Sequence, residues 1–112
     1  MLKSSYQLGL EAEELVVRYF QKAGFKTIRR RWKTPYAEID LVFQGLKKNQ
    51  LLVLEVKRNA YAEFREWVLT KQQKNRLKRA LIWLSEKGFD VDFRIVIVNK
   101  NDSIEIISDV FS

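Results

Sequence analysis

The stretch that decides the fold is Glu38-Ile39-Asp40-Leu41-Val42-Phe43, the gap Gln44-Gly45-Leu46-Lys47-Lys48-Asn49-Gln50, and then Leu51-Leu52-Val53-Leu54-Glu55-Val56-Lys57. Both flanks are β-rich, and the polar, glycine-containing gap reads as a hairpin loop. Each flank is apolar on both faces for most of its length, so the pair belongs in a sheet covered on each side. Charge appears at only one end of each strand. Because side chains alternate faces, Glu55 and Lys57 point the same way, about 7 Å apart along the backbone. With Phe43 and Leu51 as partners at the loop, antiparallel pairing brings Asp40 opposite Leu54 or Glu55, depending on register. Two carboxylates and a lysine therefore meet where the hydrophobic strands end.

Upstream, Leu8, Ala12, Leu15, Tyr19 and Ala23, with Val16 and Phe20, form a broad apolar stripe at helical spacing, and Gly24 is a good stop. Phe25 to Trp32 reads as a strand with basic side chains reaching solvent, broken by Thr34-Pro35. Downstream, Thr70 is an N-cap for a helix to about Lys87, with Leu77, Ala80, Leu81 and Leu84 as its buried stripe. Asp92 to Val98 is another apolar strand, and Ser103 to Ile107 returns as an edge strand after the turn residues Asn99-Lys100-Asn101-Asp102. The order is helix, three strands, helix, two strands (αβββαββ), an α/β sandwich with a mixed sheet. Few glycines and one proline leave no room for a linker, so 1–112 is expected to be one domain.

Composition narrows the chemistry. A chain that is 46% hydrophobic and 31% charged has the balance of a folded domain rather than a disordered one. The start, Met1 to Ser5, runs into charge by Glu11, unlike a signal peptide, and no stretch has the ~20 apolar residues of a membrane span, so a cytoplasmic protein with no membrane partner is expected. Without cysteine or histidine, thiolate and imidazole chemistry is excluded, leaving carboxylates, lysine, tyrosine and hydroxyls. The net charge of +7 is unevenly spread. Lys26, Arg29, Arg30, Arg31 and Lys33 run without an acid, and Lys71, Lys74, Arg76, Lys78 and Arg79 form a second group. One such cluster reads as a solvated face; two flanking an acidic centre point to nucleic acid.

Two carboxylates a few ångströms apart repel unless a cation intervenes or one stays protonated. Mg²⁺ suits them: it takes oxygen ligands, keeps water and binds phosphate oxygens. Lys57 would then orient a water or neutralise developing charge. Strand geometry alone leaves a surface Glu–Lys pair beside an unrelated aspartate, worth about 0–1 kcal/mol, as an equal alternative.

The order Glu38-Ile39-Asp40, then Glu55-Val56-Lys57, with fourteen residues between Asp40 and Glu55, resembles the PD-(D/E)XK nuclease pattern. Gly9 and Glu13 on the first helix, Leu52 to Arg58 and Lys71-Gln72 extend the likeness over roughly 6–98, to the YraN-like bacterial family, close to Holliday-junction resolvases. The resemblance implies a restriction-endonuclease-like fold. It implies Asp40 and Glu55 as metal ligands with the Val56 carbonyl as a third, for Mg²⁺ with Mn²⁺ as a substitute. Lys57 would direct the water or phosphate, and Glu13 would be an auxiliary acid. Glu38 is either a second-metal ligand or simply the strand mouth. Arg29, Arg30, Arg31, Lys33, Lys71, Gln72 and Lys74 are expected to hold nucleic acid, DNA foremost. The implied activity is Mg²⁺-dependent endonucleolytic cleavage, of branched or damaged DNA; the alternative is a catalytically silent binding module or a subunit of a larger DNA-processing complex. A homodimer is expected on the ground that one site cuts one strand.

Two positions depart from the family pattern. Ala37 stands where the family has glycine, and Asp92-Phe93-Arg94 carries its charges in reverse order. Among the aromatic residues, Trp83 reads as core, while Tyr61 and Trp67 fall in an irregular stretch that a base-stacking role would need over the site.

Overall fold

The structure is a computed structural model that describes residues 2–58 and 69–111. Both helices begin the same way. Ser4 accepts the N–H of Gln7 and the Gln7 side chain returns to the Ser4 N–H, starting α1 (Ser5–Lys22); Thr70 and Gln73 repeat the exchange at the start of α2 (Lys71–Glu86). Each box satisfies two N–H groups that a helix otherwise leaves unpaired. Gly24 and Gly88, at φ 94° and 98°, take the left-handed turn that releases the chain from each helix.

Between and after the helices lie β1 (Thr27–Lys33), β2 (Glu38–Gln44), β3 (Gln50–Arg58), β4 (Asp90–Val98) and β5 (Ile104–Ile107). They form one mixed sheet in the order β1-β2-β3-β4-β5, in which only β3 and β4 are parallel. This is the expected α/β arrangement, αβββαββ, compatible with a restriction-endonuclease-like fold. The helix between β3 and β4 supplies the crossover that a parallel pair requires.

The two-sided apolarity of β2 and β3 is explained by a helix on each face. On one side Ala12, Val16, Val17 and Phe20 of α1 pack on Leu41, Phe43, Leu52, Leu54, Val96 and Val98. On the other, Ala80 and Leu84 of α2 cover Ile39, Val42, Leu51 and Val53, while Leu77 joins Leu69, Ile95 and Ile97. Trp83 packs against this second layer, edge-on to Trp32 at 6.0 Å, so it is core as its neighbours suggested. No helix of the described residues is long and apolar enough to cross a membrane.

Three local features differ from the sequence reading. The hairpin pairs Gln44 with Leu51 and Phe43 with Leu52, one residue from a Phe43–Leu51 pairing, and so selects the Glu55 alternative of the two registers left open for Asp40. The shift follows from the loop, where the Gly45 N–H donates to the Gln50 carbonyl and the Gln44 side-chain amide donates to the Lys47 carbonyl. Next, β1 does not simply alternate. Arg31 has φ 50°, a left-handed conformation costing a non-glycine residue about 1–2 kcal/mol, and a register shift lies between Thr27 and Arg29. Arg30 and Arg31 consequently both reach α1, whereas Trp32 packs on the α2 side. Finally, the stripe on α1 is wider than the sheet it covers, leaving Tyr19 half exposed and Leu8 and Leu15 partly so.

Phe43 is fully buried and stacks on Phe20 at 5.4 Å, whereas Leu46, at the hairpin tip, is 92% exposed. Phe43→Ala should therefore lower unfolding free energy by about 3–5 kcal/mol in urea titration. Leu46→Ala should change it by less than about 0.5 kcal/mol.

Candidate functional site

The β2–β3 ladder ends at Leu41–Leu54. Carried one step further, its register sets Asp40 across from Glu55, on the same face. Here a side chain takes over from backbone pairing: the Val56 N–H donates to Asp40 Oδ2 at 2.8 Å. That bond fixes the Asp40 carboxylate against the strand carrying Glu55. On the other side of β3, the parallel ladder aligns Glu55 with Ile95 and Lys57 with Ile97, both buried. Asp40, Glu55, Val56 and Lys57 are all partly buried at this end of the sheet.

The electrostatics follow from that placement. Burial, the hydrogen bond with Asp40 and the nearby Asp40 charge together push the Glu55 carboxyl up to about 9, against a smaller downward pull from Lys57. Glu13 adds a smaller upward push, so its charge is felt at Glu55 from α1. Without a cation, the two carboxyls are thus best stabilised when they share a proton. Among the described residues, no three acidic side chains gather as a metal-binding group.

Glu13 is tied down. Arg31 holds it through two bonds, Nε to Oε1 at 3.2 Å and Nη2 to Oε2 at 2.9 Å, with the guanidinium 5.7 Å from the centre of the Tyr6 ring. Beside it, Arg30 donates to Glu14 at 2.9 Å, and Arg29 lies over Trp32 at 5.6 Å. Two of the four basic residues picked from this strand therefore have their charge met inside the molecule. Lys33 is exposed and paired in the ladder with Glu38, which marks the outer mouth of β2.

The second basic group differs. Lys71, Gln72, Lys74, Arg76, Lys78 and Arg79 are exposed along α2, whose one acid, Glu86, lies at the far end. The N-terminus of α2 lies at the Glu55 end of the sheet, since Leu69 and Leu77 pack on Ile95 and Ile97. The two clusters look alike along the chain; the acids of α1, folded over β1, set them apart.

The two departures have simple outcomes. Ala37 keeps a negative φ, and its N–H donates to the Thr34 hydroxyl, so no glycine is required at the entry to β2. Asp92 and Arg94 pair with each other at 3.2 Å, so the reversed order still yields an ion pair. Tyr61 and Trp67 lie outside the described residues.

Residues 12–101 match the family described as Uncharacterised protein family UPF0102. The chain belongs to that family. UPF0102 is the YraN-like group whose motif order the sequence resembles. A UPF0102 protein of Thermodesulfovibrio yellowstonii is 33% identical over 94% of this chain and 96% of its own length. Others from Desulfosudis oleivorans (29% identity, 99% of this chain, 94% of the relative) and Vibrio campbellii (30%, 91% and 87%) are similar over nearly their whole lengths. The UPF0102 match includes Glu13, Asp40, Glu55, Lys57 and the basic start of α2.

The raised Glu55 value has a sign. A carboxyl whose folded value lies above its unfolded one favours folding most below about pH 4.5, and that advantage is lost as pH rises through about 9. In metal-free buffer, Glu55→Gln should therefore match the wild type near pH 4.5 and exceed its stability by about 4–5 kcal/mol at pH 8, read by urea titration across that range.

Proposed function

We propose that this UPF0102 protein is a Mg²⁺-dependent endonuclease that hydrolyses phosphodiester bonds in DNA, with Mn²⁺ as a substitute. The observation that carries the reading is the meeting of Asp40 and Glu55 on one face at the end of two buried strands, with Lys57 one step along the same face. Burying carboxylates together is costly unless a cation or a proton joins them. An oxygen-only donor set of two carboxylates, with the Val56 carbonyl as a third, suits a hard ion that keeps several waters. When bound, such an ion polarises the phosphoryl oxygen and acidifies a water.

The remaining work falls to the chain itself. Asp40, oriented by the Val56 N–H, and Glu55 hold the cation's side of the site. Lys57 donates to the attacking water or to a phosphate oxygen, offsetting charge that grows in the transition state. Glu13 adds negative field from α1 and acts as an auxiliary acid. Lys71, Gln72 and Lys74 hold a phosphate at the N-terminus of α2, where backbone N–H groups already favour anions. The basic residues of β1, Lys33 and Arg29 foremost, extend the contact. A second copy of the chain would supply the second cut in a duplex, and the absence of cysteine suits work in the cytoplasm.

The test incubates the protein with linear, flapped and four-way DNA in Mg²⁺ or Mn²⁺. At least one substrate should be cut, and Asp40→Asn and Lys57→Ala should each slow the cut by about 10²-fold or more. Cleavage that persists in both variants overturns the assignment. DNA binding without cleavage under either metal leaves a silent binding module instead.

A further inference from the structure

The two flanks of α1 are used differently. On one, Glu13 and Glu14 meet the arginines of β1. Along the other runs an open groove of about 840 Å³ between α1 and the β4–β5 turn. Its floor is apolar: Leu8, Leu15 and Tyr19 from the part of the α1 stripe that the sheet leaves uncovered, facing Ile104 of β5. Tyr19 is 49% exposed, and its ring is set edge-on against Phe20 at 5.4 Å, which steadies it while leaving one face open. From Leu8 to Tyr19, at 1.5 Å per residue, the floor is about 17 Å long.

The rim is basic. Lys3, Arg18, Lys22 and Arg58 line it with only two acids, Glu11 and Asp102. Lys3 pairs with Glu11 at 2.7 Å and Arg58 with Asp102 at 2.8 Å, so both acids are spent on two of the four bases. Arg18 is 3.9 Å from Glu14, an acid already bonded more closely to Arg30, and Lys22 ends the groove. Arg58 follows Lys57 in β3 but lies on the opposite, α1 face of the sheet, so the groove reaches the end of the strand that carries the candidate site from the other side.

We infer that this groove binds an unpaired nucleic-acid strand, its bases on the Leu8–Leu15–Tyr19–Ile104 floor and its phosphates on the Arg18–Lys22 rim. A duplex hides its bases and offers an apolar floor nothing to bury, whereas a single strand presents base faces and phosphates together. The basic excess favours a polyanion over an apolar peptide. The inference rests on the proposed function for its ligand class and sharpens it: the substrate would carry a single-stranded segment leading away from the site.

The experiment measures binding of a fluorescent oligo-dT 15-mer and of a 15-base-pair duplex by anisotropy, in EDTA so that cleavage plays no part. Tyr19→Ala should weaken oligo-dT binding about tenfold, with duplex binding changed less than about twofold. The double variant Arg18→Ala/Lys22→Ala should flatten the slope of log affinity against log salt for oligo-dT by about 1.4. Circular dichroism melting checks that each variant is folded; if Tyr19→Ala is not, the double variant alone decides. Equal losses for both DNAs, or none for oligo-dT, overturn the inference. A protein that binds oligo-dT through this groove yet never cuts DNA with Mg²⁺ or Mn²⁺ would lose the proposed activity and keep the groove. One that cuts duplex DNA with no effect of either variant on oligo-dT would do the reverse.

Discussion

The hydrogen bond from the Val56 N–H to Asp40 is the point on which the site turns. It stands where backbone pairing between β2 and β3 stops, and it replaces a ladder bond with a charged side chain. One donor thereby does two things: it avoids an unpaired N–H at the end of a buried strand, and it aims a carboxylate at its neighbour on β3. The arrangement works because β3 is a central strand. With β2 antiparallel on one side, β4 parallel on the other and a helix on each face, Glu55 is held partly buried beside Asp40 and Lys57.

Charge is distributed by the same architecture. The acids of α1 lie over the basic strand β1 and neutralise part of it, while the bases of α2, which form no ion pair among the described residues, run to the end of the sheet where Asp40 and Glu55 sit. The net positive charge of the sequence is thus concentrated by folding onto particular surfaces. Neither the total nor the runs of lysine and arginine along the chain would have predicted which surfaces those are.

The element order and the proximity of Asp40 to Glu55 were legible because they depend on short-range patterns: alternation in strands, the 3.6-residue stripe in α2, the N-cap at Thr70 and the stops at Gly24 and Gly88. What escaped depended on tertiary choices. The hairpin register was one residue off because it is set by which loop groups bond, Gly45 to Gln50 and Gln44 to the Lys47 carbonyl, rather than by strand composition. The direction of Arg31 was hidden because arginine has no preference for a left-handed backbone; a partner on another element holds it there. The uncovered part of the α1 stripe was invisible because periodicity counts apolar residues but not the width of the sheet beneath them.

Arg31 and Glu13 have a further consequence for how the sequence can drift. Arg31 occupies a backbone conformation that favours glycine, and its compensation is the bidentate pair with Glu13. A neutral replacement at 13 leaves a strained arginine with its fork unfilled; a bulky replacement at 31 keeps the strain and abandons the acid beside Glu55. The two positions are therefore physically coupled across two elements of the fold. Glycine at 31 would remove the backbone cost but would leave the Glu13 carboxylate without the arginine that holds it.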